Sequence, residues 1–228
     1  MRYGTRPQLR QVETVDYIDL TGSDSRRVLR NTYGLLSMTL LFSALTAGLS
    51  IAFALPHPGF IITLVAYFGL LFLTNKLRNS GWGIVSVFAL TGFLGFTLGP
   101  VINHYLALPN GTALVMGALG LTGAIFLGLS AFVLISKRDF SFMGGFLMIG
   151  MIVALVASLA GFFFNIPGLS IAISAAVVLL MSGMILFETS NIVRGGETNY
   201  IMATVSLYVT IFNLFVNLLQ LLGFENND

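Results

Sequence analysis

Cysteine is absent and charge is scarce. Without a thiol the chain forms no disulfide, offers no thiolate to a metal and has no cysteine nucleophile. Of 228 residues, 11 are Lys or Arg and 9 are Asp or Glu, so 9% are charged, against about 25% in an ordinary soluble domain. So few charges do not cover the surface of a soluble fold of this size, which excludes a water-soluble enzyme. A net charge of +2 is too small to argue for nucleic acid. Apolar residues make up 56% of the chain and the mean hydropathy is +0.92, so the expected surroundings are a lipid bilayer. The 25 glycines, and the lack of strand-like alternation, favour packed helices over a transmembrane barrel.

The positions of the charges give the organisation. Ten lie in residues 1–30, and none in 31–75, 79–136, 140–187 or 198–224. A helix needs about 20 residues to cross roughly 30 Å of hydrocarbon, so the first three runs hold two helices each and the last holds one. Turn signals divide the long runs at Pro56-His57-Pro58-Gly59, Pro109-Asn110-Gly111 and Asn165-Ile166-Pro167-Gly168. The expectation is an all-α integral membrane protein with seven transmembrane helices near 33–55, 59–76, 83–105, 112–135, 141–164, 168–193 and 199–223. A polar tail, 1–30, precedes a transmembrane domain, 31–228. Arg26, Arg27, Arg30, Lys76, Arg78, Lys137, Arg138 and Arg194 all fall on one side of this alternating topology, and the segments around 57, 109 and 166 contain no Lys or Arg. The positive-inside rule then puts the N-terminus in the cytoplasm and Glu225 and Asp228 outside.

The tail is polar and mixed in charge, unlike a secretory signal peptide. Two readings stay open for it: a solvated, disordered segment, or a handle that a cytoplasmic partner grips through Arg2, Arg6, Arg10, Arg26 and Arg27.

Helix seven places Ser206, Thr210, Asn213, Asn217 and Gln220 at spacings of four, three, four and three, on one stripe. Amides facing lipid would leave donors and acceptors unsatisfied, so the stripe faces protein or water and helix seven is expected at the centre. The stripe serves either interhelical hydrogen bonding or a polar pathway. Small residues mark expected close contacts: Ser43, Thr46 and Ser50 on helix one, Gly92, Gly95 and Gly99 on helix three, and Gly117, Gly120, Ala124 and Gly128 on helix four. The methionines, including Met143, Met148 and Met151, read as gap fillers rather than metal ligands.

Glu188 lies inside the sixth helical pattern, five residues before Val193, or about 7.5 Å of helix rise. It is either a site within the membrane (a proton-sensitive gate or cation ligand, weakly a calcium candidate) or an acid reaching the interface, with Arg194 the nearest base. His57 and His104 fall in outer segments and read as interfacial residues. Asp139, beside Lys137 and Arg138, reads as a loop charge capping helix five. No intramembrane Ser-His pair, HExxH, phosphate loop or paired aspartates occur, and helix seven has no lysine for a Schiff base. Neither catalysis nor a cofactor is expected.

Several further segments carry a resemblance. Leu186-Phe187-Glu188-Thr189-Ser190-Asn191-Ile192, Gly195-Gly196-Glu197-Thr198-Asn199-Tyr200, and Leu207-Tyr208 through Asn213-Leu214-Phe215 resemble the Bax inhibitor-1 family. So do Gly83-Ile84-Val85-Ser86, Leu98-Gly99-Pro100 and the loop from Arg138 to Gly145, and the resemblance runs over roughly 28–223. The Glu-Thr-Ser-Asn and Gly-Gly-Glu-Thr-Asn-Tyr segments are similar to the bacterial branch that modulates the membrane protease FtsH. The resemblance implies seven helices with helix seven central, and a multi-pass bacterial inner-membrane regulator that binds and restrains an ATP-dependent protease. For characterised relatives it also implies a pH-sensitive calcium leak, in which an acid on helix six pairs with an aspartate on helix seven. Those positions match Glu188 and Thr210, so the second carboxylate is missing here. The alternative is thus a pH-sensitive calcium or cation leak using Glu188, Thr210, Asn213 and Asn217, in which calcium or a proton would meet one carboxylate.

Overall fold

A computed structural model describes residues 12–164 and 168–224, with side chains from Asp24 onward except at Phe162. Arg2, Arg6, Arg10, Glu225, Asp228 and the Asn165-Ile166-Pro167 turn lie outside the described residues. Seven α-helices follow in order: α1 (Val12–Ala52), α2 (Phe60–Leu77), α3 (Trp82–Leu106), α4 (Gly111–Ser136), α5 (Gly144–Phe164), α6 (Leu169–Val193) and α7 (Tyr200–Phe224). A short 3-10 turn, Ser141–Met143, leads into α5. All seven are long and apolar enough to span a membrane.

Helix α1 departs from expectation. It begins at Val12 rather than near residue 33, so residues 12–30 are helical. No proline falls between Pro7 and Pro56, so no covalent break interrupts the helix. Its 41 residues extend about 60 Å, roughly twice the hydrocarbon thickness, so its N-terminal part projects beyond the apolar layer. Arg26 and Arg27 therefore ride on a helix.

The core forms where polar anchors and small residues let backbones approach. Helix α7 packs against α1, α3, α4 and α6, and α1 packs along α3. Half of the spanning window is buried in α3 and α7, against 6% in α2 and 11% in α5. The last two helices pack mainly on α3 and α6 respectively, and turn the rest of their surface to lipid. Tyr208 of α7 is fully buried; its hydroxyl donates to the Thr91 carbonyl of α3 (3.1 Å) and lies 2.5 Å from Ser43 Oγ of α1. The small-residue faces of α1 and α3 meet as expected. A Cβ added at Gly92 would lie 2.5 Å from the Phe42 ring and one at Gly99 2.5 Å from Ser50, and Gly95 sits directly on Ser43 and Thr46.

Helix α4 differs. Gly120, Ala124 and Gly128 are exposed, and an added Cβ at Gly120 or Gly128 meets nothing within 4 Å. The buried face is instead Leu114, Ala118, Thr122, Phe126, Ser130 and Val133, which turns toward α6 and α7. A small-residue stripe brings helices together only where a second helix arrives: among the described residues α7 reaches Gly117, where an added Cβ would lie 3.5 Å from Leu222, and none reaches Gly120 or Gly128.

This contrast is testable by thermal unfolding in detergent. Gly95→Leu should cost about 1–3 kcal/mol through overpacking. Gly120→Ala should be neutral or stabilising by up to about 1 kcal/mol, as alanine is the better helix former.

Candidate functional site

With about 3.6 residues per turn, four consecutive helical residues point around the whole helix axis. Near the C-terminal end of α6, Glu188, Thr189 and Ser190 each hold a different part of the molecule with their side chains, and Asn191 holds a fourth with its carbonyl.

Glu188 is 6% exposed and turns toward α7. Ser206 Oγ donates a short hydrogen bond to its Oε1, and Thr210 Oγ1 lies 3.1 Å from each carboxylate oxygen. Thr189 Oγ1 lies 3.4 Å from the Tyr33 hydroxyl of α1 and 3.5 Å from Ser130 Oγ of α4. Ser190 Oγ accepts the Phe140 N–H (3.1 Å) and donates to the Arg138 carbonyl (3.4 Å), which fastens the loop after α4. The Asn191 carbonyl accepts the N–H groups of Gly196 (2.9 Å) and Glu197 (3.3 Å), which closes the end of α6. Gly195 takes φ +76° in that turn, a conformation that suits glycine. At Gly196 a side chain would strike the Asn191 amide.

The neighbouring loops are joined in turn. Arg194 pairs with Asp139 at 3.5 Å and donates to the Lys137 carbonyl at 3.4 Å. The Asn199 amide donates to the Arg78 carbonyl (3.0 Å) and Asn79 Oδ1 (2.9 Å). Its own Oδ1 accepts the N–H groups of Ile201 (3.0 Å) and Met202 (3.1 Å), which caps α7. The three basic loops, around 78, 138 and 194, thus meet at one end of the bundle. Asp139 caps the 3-10 turn rather than α5 itself, accepting the Ser141 hydroxyl (2.5 Å) and N–H (2.9 Å). The Ser141 hydroxyl above all, then its N–H and the Arg194 charge, hold the Asp139 carboxyl below its ordinary 3.8. A carboxyl lowered in this way supports the folded loop above the ordinary carboxylate range. The support is lost as pH falls through the lowered value.

The polar stripe of α7 divides into two. Ser206 and Thr210 serve Glu188. Farther along, Asn213 donates to the Val209 carbonyl and Asn217 to the Asn213 carbonyl, both at 2.8 Å, so these amides bond back onto their own helix. Asn213, Asn217 and Gln220 then line a cavity of about 800 Å³ with Ser158, Ser170 and Ser174, between α5, α6 and α7. A smaller cavity of about 240 Å³ holds Glu188, Ser206, Thr210 and Asn213 beneath Tyr67 and Met151. Of the candidates, Glu188 and Thr210 touch, Asn213 borders them and Asn217 lies a turn beyond. Among the described residues no group of three or more His, Cys, Asp or Glu side chains assembles. His57 accepts the Gly59 N–H at 3.0 Å, and His104 stacks edge-on against Tyr105. Thr189, Ser190 and Asn199 were not singled out by residue type. The one signal for them was their place in the family-like segments.

Those segments are the ones that the geometry ties together. The model of the family described as Inhibitor of apoptosis-promoting Bax1 matches residues 25–227. The chain belongs to the Bax inhibitor-1 family. It is 54% identical over 204 residues to the modulator of FtsH protease YccA of Escherichia coli K12, covering 90% of this chain and 93% of that protein. The inner membrane protein YccA of Escherichia coli O6:H1 matches to the same extent, 54% over 204 residues. An uncharacterised protein of Pseudomonas aeruginosa is 55% identical over 201 residues, covering 88% of this chain and 90% of its own. In this member of the Bax inhibitor-1 family, the helix-six acid meets two hydroxyls on helix seven.

The double variant Ser206→Ala with Thr210→Val should leave the Glu188 carboxylate without a donor. Each lost donor should cost about 1–3 kcal/mol, seen as a lower unfolding temperature in detergent. Adding Glu188→Gln should recover part of the loss, because a neutral amide tolerates burial better. An unchanged unfolding temperature in the double variant would contradict this arrangement.

Proposed function

We propose that this multi-pass protein of the bacterial inner membrane is a non-enzymatic regulator that binds and restrains a membrane-bound protease of the FtsH type. The observation that carries the reading is the 54% identity, over 90% of the chain, to a relative named as a modulator of that protease. The architecture is compatible with it. The Ser190 hydroxyl at the end of α6 and the Asn199 amide before α7 are engaged in holding loops. The basic loops gather at one end, which under the positive-inside rule is the cytoplasmic end, with the projecting part of α1 beside them. That end offers a partner a charged surface held by hydrogen bonds, and the N-terminal segment is a handle beyond it.

A second reading is a proton-gated cation leak, favoured by the cavity that holds Glu188 beside the larger polar one. Calcium takes about six to eight oxygen ligands and prefers several carboxylates. A single acid whose oxygens already accept Ser206 and Thr210 is a poor match, so the regulator reading stands first.

Two measurements separate them. The full-length protein should co-purify with the protease from membranes and slow its turnover of a membrane substrate, and removal of residues 2–23 should weaken both effects several-fold. Absence of association and of inhibition by the full chain would overturn the regulator. Calcium flux into proteoliposomes should stay at the protein-free level for wild type and Glu188→Gln alike. A pH-dependent flux lost in Glu188→Gln would favour the leak.

A further inference from the structure

Where α1 enters the apolar layer it lies against the loop between α6 and α7. Asp24, Ser25 and Arg27 of α1 face Glu197, Thr198 and Tyr200 of that loop across a cavity of about 460 Å³, within the roughly 300–1,000 Å³ of small-molecule sites. The wall is a close one. A Cβ added at Gly195, at φ +76°, would lie 3.2 Å from Ser25 Oγ. Its depth is set by the chain: α6 ends at Val193, α7 starts at Tyr200 and the charge-free run of α1 starts at residue 31. The cavity therefore sits where charged loops give way to apolar spans, the level of phospholipid headgroups, and Tyr200 is an aromatic of the kind found there.

The charges in the cavity are of both signs. Neither Arg27 nor Asp24 makes an ion pair or side-chain hydrogen bond among the described residues. Glu197 uses Oε1 to accept the Asn199 N–H at 2.7 Å and keeps its second oxygen. Arg194 also lines the cavity and pairs with Asp139 at 3.5 Å. The cavity thus offers the Arg27 guanidinium, that of Arg194 shared with Asp139, two carboxylates and the hydroxyls of Ser25 and Thr198. A guanidinium fork matches a phosphate, and carboxylates match an ammonium that has N–H groups to donate.

We propose that this cavity binds the headgroup of a zwitterionic aminophospholipid, with the phosphate on Arg27 and the Ser25 and Thr198 hydroxyls, and the primary ammonium between Asp24 and Glu197. A purely anionic headgroup would bring its charge to two carboxylates with no cation of its own. A quaternary ammonium has no N–H to donate. Such a lipid would tie the membrane entry of α1 to the Gly195-to-Tyr200 loop, and the assignment does not rest on the protease reading.

The test is native mass spectrometry of the full-length protein with equal concentrations of phosphatidylethanolamine, phosphatidylcholine and phosphatidylglycerol of matched acyl chains. One phosphatidylethanolamine should be retained in preference to either other lipid by about tenfold, the size of one charge-assisted hydrogen bond. Arg27→Ala should lower its retention by about tenfold, and Asp24→Asn should narrow the preference over phosphatidylcholine by a similar factor. Arg78→Ala, outside the cavity, should leave both unchanged. Equal retention of the three lipids by the wild type, or preference for phosphatidylglycerol, would overturn the proposal without need of any variant. A preference that survives both Arg27→Ala and Asp24→Asn would overturn it as well. Free phosphoethanolamine binding as tightly as the lipid would place the ligand in water and overturn the lipid assignment.

Discussion

A carboxylate among apolar helices in a bilayer is costly unless donors surround it. Much of the bundle can be derived from that constraint at Glu188. Its donors, Ser206 and Thr210, are four residues apart, so one face of α7 must meet α6 at that level. Rotation of α7 is then determined. Tyr208, midway between them in sequence, projects to the opposite side, where it joins α1 and α3 through Ser43 and the Thr91 carbonyl. One helix is thereby held on two sides by polar contacts, and the apolar residues between them, Leu207, Ile211, Leu214 and Phe215, fill the core.

The residues after Glu188 extend the same logic to the basic end. Thr189 reaches α1 and α4, Ser190 the loop after α4, and Asn191 the turn into α7. Single bonds of this kind are worth little on the membrane scale, about 0.6 kcal/mol on average. Several converging on one turn of helix specify how the loops after α4 and α6 sit relative to one another, and Asn199 adds the loop around Arg78. The exposed Arg194–Asp139 pair adds to this only modestly, as expected for half-exposed charges. What these contacts supply together is a fixed arrangement of the basic loops rather than strength in any one bond.

Seven spans and their shared basic end were legible because charge is excluded from hydrocarbon, and the family from Glu188 to Tyr200 and its companion segments. What was not legible has physical reasons. Helix α1 continues to Val12 because polarity alone does not stop a helix, and no proline lies between Pro7 and Pro56. The glycines of α4 looked like those of α3, yet a close approach depends on where the neighbouring helix lies, which residue type does not encode. The α7 stripe looked continuous, but Asn213 and Asn217 satisfy themselves on their own backbone while Ser206 and Thr210 do not. Ser190 and Asn199 resemble ordinary residues at helix ends; their partners, Phe140 and Arg78, are 50 and 121 residues away in sequence.

Amide hydrogen exchange of the full-length Ser190→Ala protein, compared with wild type in detergent or nanodiscs, tests most directly whether the 188–191 run organises the basic end. Exchange should accelerate across residues 137–143 and, to a lesser degree, 194–199, while the core of α3 and the Tyr208 region of α7 keep their protection. Unchanged protection of the 137–143 loop would contradict the account.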